Sequence, residues 1–207
     1  MERESAGKIF GLRILGAAEF QPLLKALGCP DAVVSEPEIP FSGEVLRKAA
    51  AEGFILVYCP ASLAGAPVTL RRLREVFGLD PEVSEPCFYN QDWYLSEPFF
   101  DRPLDGGWHL VKKEVLEASR AVQPGELLSE GCVFPPAVVC AWTFFAWFFA
   151  RGEYLWWHDF VWCEDTDHNG DRIYVGKYHD IDGINKNGFS VHRHLALRPC
   201  YAAVSYL

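Results

Sequence analysis

The chain has no Cys-x-x-Cys pair and no regular cysteine spacing; its seven cysteines stand at 29, 59, 87, 132, 140, 163 and 200. That excludes a zinc-ribbon arrangement and points to free thiols in a reducing compartment. Basic residues are also few: 19 Lys and Arg against 28 Asp and Glu, a net charge of −9. So acidic a chain is a poor partner for nucleic acid, whose phosphates call for clustered cations, and it does not favour anionic membranes. No apolar run is long enough to span a bilayer. The longest, Ala137 to Ala150, is fourteen residues interrupted only by Thr143, where a spanning helix needs about 20. The start, MERESAGKIF, lacks the apolar core of a signal peptide, so a cytoplasmic location is expected. Also missing are a Gly-x-Ser-x-Gly elbow, a His-Glu-x-x-His motif, a phosphate-binding glycine loop and any internal repeat.

What is present is apolar and aromatic. Half of the 207 residues are hydrophobic and 14% are aromatic, ample for one sizeable core. The expected fold class is α+β in a single domain, 1–207, with a helix-rich subregion at 1–80 and a strand-rich one at 107–207. Phe20 to Leu27 reads as a short helix. Ser42 caps a second through about Glu52, and Leu70 to Phe77 forms a third with Arg71, Arg72 and Arg74 on its outer face. Between them, Phe54 to Tyr58 is a short apolar run suited to a buried strand. Residues 79–107 are broken by prolines and glycines into a loop that is nonetheless aromatic. Trp108 to Val111 reads as a strand, with Lys112 to Val122 continuing as a helix. The apolar segment at 136–151, opened by Pro135-Pro136 and closed by Arg151-Gly152, is expected as a buried core helix.

After that helix the pattern changes to an antiparallel β meander. Tyr154 to Glu164, Arg172 to His179 and Leu195 to Val204 read as strands, with turns at Asp167–Asp171, Asp182-Gly183 and Asn187-Gly188. Residues 152–191 hold eight acidic and three basic residues, more than half of the net charge. Within them, Asp165, Asp167, Asn169 and Asp171 match the first half of a calcium loop, and are the candidate ligands for a divalent cation such as Ca²⁺. The twelfth position is Gly176 where a bidentate Glu is needed, and the flanks are strand-like, which favours a plain hairpin tip. His192 and His194, two residues apart, share one face of a strand. Trp156 and Trp157 are adjacent, so one must face away from the other. Trp156, Trp157, Tyr178, His192 and His194 are therefore the candidate ligand-contacting residues, on an aromatic, acidic surface.

The stretches Ile39-Pro-Phe-Ser42, Gly107-Trp-His-Leu-Val-Lys112 and Arg172-Ile-Tyr-Val-Gly176 resemble a group of uncharacterised bacterial proteins with no assigned activity. Asn187-Gly-Phe-Ser-Val191 followed by Leu197-Arg-Pro-Cys200 is similar to the closing strands of bacterial C-type-lectin-like domains. That resemblance covers about thirty residues and implies a ligand-displaying β region; no lectin-type sugar-binding motif accompanies it. The expected function is non-enzymatic binding of a protein or small-molecule ligand through the C-terminal β surface. The alternative is a metal-dependent hydrolase using the Asp165–Asp171 cluster with His192 or His194.

Overall fold

The computed structural model describes residues 1–178, 188–193 and 196–207. Six α-helices lie among them: α1 (Arg3–Phe10), α2 (Gln21–Ala26), α3 (Gly43–Ala51), α4 (Leu70–Phe77), α5 (Pro124–Ser129) and α6 (Ala137–Arg151). The strands are β1 (Ile14–Leu15), β2 (Phe54–Cys59), β3 (Ser62–Leu63), β4 (Ala66–Pro67), β5 (Gly107–Lys112), β6 (Phe160–Thr166), β7 (Arg172–Tyr178), β8 (Gly188–Arg193) and β9 (Tyr201–Ala202). The fold is α+β, with an antiparallel C-terminal sheet following the apolar helix.

In the N-terminal sheet, β2 is central, parallel to β1 and antiparallel to β5. All six β2 residues are buried, as their continuous apolar run implies. The chain returns at its end to cover β5: Leu110 and Leu207 exchange backbone hydrogen bonds, and the Lys112 amide donates to the Ser205 carbonyl. The C-terminal sheet has the order β8-β7-β6-β9. Its outer edges are covered by loops, which removes open pairing sites. Phe189 of β8 exchanges backbone bonds with Cys87 and Tyr89, while Leu116 and Ala121 donate to the carbonyls of Ala203 and Tyr201 beyond β6.

Helix α6 packs on both sheets, which is why it is apolar all round. Its Trp142 Nε1 donates to the Tyr58 carbonyl at 2.8 Å. Phe145 stacks on Phe77 at 4.1 Å between ring centroids, and Phe144 meets Phe189 of β8. The first turn has no side-chain cap of its own, since Pro136 precedes it. Asp165 of β6 supplies one: its Oδ2 accepts from the Ala137 amide at 2.6 Å. Gly152 ends the helix in the left-handed region.

Several sequence expectations differ from the fold in detail. Residues 112–122 contain only a short 3-10 turn at Glu117–Ser119, because Leu116, Ser119 and Ala121 are occupied in holding β9. The last strand is two residues long and runs parallel to β6. Strand β6 begins at Phe160, since residues 156–159 form a turn. The strand expected to carry His192 is Gly188–Arg193. The proposed turn at Asp182-Gly183 lies outside the described residues. Two glycines are required by close approach: a Cβ on Gly176 would sit 2.1 Å from the Asp159 carbonyl oxygen, and one on Gly188 2.4 Å from the Tyr89 nitrogen. Among the described residues no helix is long and apolar enough to cross a membrane.

Candidate functional site

Two places gather polar side chains near the candidate residues. The first is the tip of the β6–β7 hairpin. Asp167, its side chain wholly buried, accepts at Oδ1 from the amides of Asn169 and Asp171, both at 2.9 Å. Its Oδ2 pairs with Arg193 of β8 at 3.2 Å, and Arg193 lies over the Trp93 ring. Burial alone would raise the Asp167 carboxyl, but the Asp171 amide, Arg193 and the Asn169 amide outweigh it and bring it below the ordinary range. Beside it, Glu97 is buried and accepts from the His168 amide at 3.0 Å and contacts the His168 ring at 2.5 Å. This contact with Glu97 raises the His168 imidazole above its usual value.

The Asp-rich sequence thus divides its labour. Asp165 faces away to α6, holding the Ala137 amide with one oxygen and Arg102 with the other at 3.0 Å. Asn169 and Asp171 contribute backbone amides to Asp167. Among the described residues, the potential metal-ligand atoms that converge are those of Glu97, Asp167 and His168, all within 4.8 Å of one another. Their donors and acceptors are already engaged with one another, with turn amides and with Arg193, so the group is electrostatically satisfied by the protein itself.

The second place is the turn between α6 and β6. Trp156 is buried and Trp157 is 41% exposed, the largest exposure among the seven tryptophans. Trp156 and His158 hold positive φ angles of 50° and 72°, a region that side chains other than glycine avoid. The turn is pinned to β7: the His158 amide donates to the Lys177 carbonyl, and Trp157 bridges Lys177. Lys177 is itself nearly inaccessible. Its ammonium lies 2.5 Å from Glu85 Oε1, 3.8 Å from the Tyr154 ring centroid and 5.6 Å from that of Trp157. The Tyr154 hydroxyl bonds to the same Glu85 oxygen. Burial and then the hydrogen bond to Glu85 raise the Tyr154 phenol, while burial and then the Glu85 charge push the nearby Cys87 thiol up to about 11. Neither group is therefore an activated nucleophile at neutral pH.

No family model, no curated protein and no solved structure matches this chain. The local geometry alone bears on function.

The remaining candidates are dispersed. His192 is largely buried on β8, stacked on Tyr174 at 5.3 Å and edge-on to Phe160, with Gln91 Nε2 3.2 Å from its Nδ1. Burial, reinforced by Arg198, lowers its imidazole to about 4. Tyr178 enters by its backbone, paired with Gly188. His194 lies outside the described residues. Sequence reasoning missed Glu97, Glu85, Tyr154 and Lys177 as members of these places. Lys177 and Glu85 are 92 residues apart, so no local spacing links them.

Proposed function

We propose that this protein is a non-enzymatic binding domain whose contact surface centres on Trp157 and the rim of the C-terminal sheet around it. The observation that carries this reading is the construction of the Trp157 turn. A half-exposed indole is held by two residues in costly backbone conformations, and a buried lysine, paired with Glu85, is set against its ring and that of Tyr154. Non-glycine residues in such conformations cost on the order of 1–3 kcal/mol each and cluster where function requires a fixed geometry. A rigid aromatic contributes large contact area at small entropic cost on binding. Glu85, 37% exposed at its side chain, adds a hydrogen-bond acceptor beside the indole.

The test is a fluorescence titration of the protein against a panel of peptides, saccharides and small aromatics. For any ligand giving a saturable change, Trp157→Ala is expected to weaken binding by about 30-fold, the loss typical of a hot-spot residue. The variant is expected to keep its thermal midpoint within a few degrees. Undiminished affinity in Trp157→Ala would remove Trp157 from the site.

The metal-dependent hydrolase reading has one observation in its favour, the convergence of Glu97, Asp167 and His168. Arg193 beside Asp167 weighs against a second cation there. Thermal shifts with Ca²⁺, Mn²⁺ and Zn²⁺ separate the two readings. A saturable rise abolished by Asp167→Asn would move the weight to the hydrolase.

A further inference from the structure

Away from both places, a cleft of about 360 Å³ runs between residues 130–133, which follow α5, and residues 204–207. Phe54 and Leu116 complete its mainly apolar lining, and Val133 and Leu207 are each 58% exposed. Clefts of this size, apolar with a few polar groups, are the usual form of a ligand site. Residues 205–207 are also the outer layer of the N-terminal sheet. Tyr206 bridges Val111 antiparallel, flanked by hydrogen bonds from the Leu110 amide to the Leu207 carbonyl and from the Lys112 amide to the Ser205 carbonyl. A residue in such a non-hydrogen-bonded pair turns its own N–H and C=O away from the partner strand. Tyr206 thus presents a donor and an acceptor on the side away from β5, and neither forms a backbone hydrogen bond among the described residues. Both edges of the C-terminal sheet are covered by loops, as sheet edges usually are. This edge is open, and it borders an apolar cleft.

We propose that this edge and its cleft are a docking site for an extended, basic peptide segment. The peptide adds as a further strand, exchanging hydrogen bonds with the Tyr206 main chain, and sets an apolar side chain into the cleft beside Val133 and Leu207. In strand addition the main-chain bonds supply affinity, and the pocket selects the side chain. Charge selects the sign of the partner. Glu130 stands exposed in the wall and Glu126 is exposed on α5, while residues 123–133 hold no Lys or Arg. Lys112, beside Phe54, keeps its ammonium 5.8 Å from the centre of that ring. A second copy of the chain would bring the same glutamates and a further net charge of −9 to the edge, so a basic partner is favoured over self-pairing.

The test uses the full chain and the peptides acetyl-Lys-X-Lys-X-Lys-X-amide, with X as Val, Leu or Phe. Each has a counterpart methylated at alternate backbone nitrogens, which keeps the charge and side chains but cannot pair as a strand. Amide hydrogen exchange, read by NMR, follows the Tyr206 N–H. At least one unmethylated peptide is expected to bind saturably and slow that exchange, and its methylated counterpart to do neither. Glu130→Lys, at an exposed position where folding is not at stake, is expected to weaken binding about fivefold. Failure of all three peptides to bind overturns the proposal. So does equal binding of a methylated counterpart, or binding that leaves the Tyr206 amide unprotected. Protection of that amide that rises with protein concentration in the absence of peptide also overturns it, and assigns the edge to a second copy.

Discussion

His192 shows how one side chain comes to depend on its surroundings. Its ring is stacked on Tyr174 and lowered to about 4, against an ordinary value of 6.5. The folded state therefore binds the proton less readily than the unfolded one. The neutral form's contribution is intact above about pH 6.5 and is lost as the pH falls towards 4. At about 1.4 kcal/mol per unit, this single group is expected to remove about 2–3 kcal/mol between those limits. Urea midpoints at pH 7 and pH 4.5 measure the loss, and His192→Phe should flatten it. Asp165 makes a second case. It was legible as part of an acidic turn, but its partners Ala137 and Arg102 lie 28 and 63 residues away, so its task as a cap for α6 was not. Asp165→Ala is expected to cost about 2 kcal/mol, chiefly from the lost cap, since Arg102 keeps its pairing with Glu164. A larger effect of added metal than of the substitution would contradict this assignment.

At the scale of elements, helices with local signals were readable. Ser42 and Thr69 accept from the amides three residues on, and Gly78 closes α4, so the first and last turns carry their own punctuation. The apolar run of α6 was readable for the same reason, because its composition already implies burial on every side. The β6–β7 hairpin followed from its Asp-rich turn. What escaped were elements fixed by distant partners. Strand β9 pairs with a parallel strand on one side and a loop on the other, and residues 112–122 serve as its edge rather than as a helix. Strand β7 carries a prediction of its own. Gly176 lies against the Asp159 backbone, so Gly176→Ala must push a main chain rather than a flexible side chain. A loss of about 3 kcal/mol is expected, measurable by urea unfolding, since overpacking against rigid neighbours is not easily relaxed. An unchanged midpoint would mean that the 156–159 turn can shift, and would weaken the case for a rigid Trp157.

In the whole molecule, α6 is the shared floor of both sheets, and residues 201–207 pass from the edge of one sheet to the edge of the other. The two halves therefore have few ways to unfold separately. Far-UV circular dichroism and tryptophan fluorescence are expected to report a single coincident transition; two separated transitions would mean that the subregions are independent. The crossing of that last segment has a further consequence, in time. Tyr206 meets the His109 ring across 97 residues, and Arg151 reaches the Leu12 carbonyl across 139. Loops of that length close before their contacts repay the lost chain entropy. Folding should accordingly be slow for a chain of this size. Hydrogen exchange during refolding should protect β6 and β7 early and the Leu110 amide, which waits for Leu207, among the last.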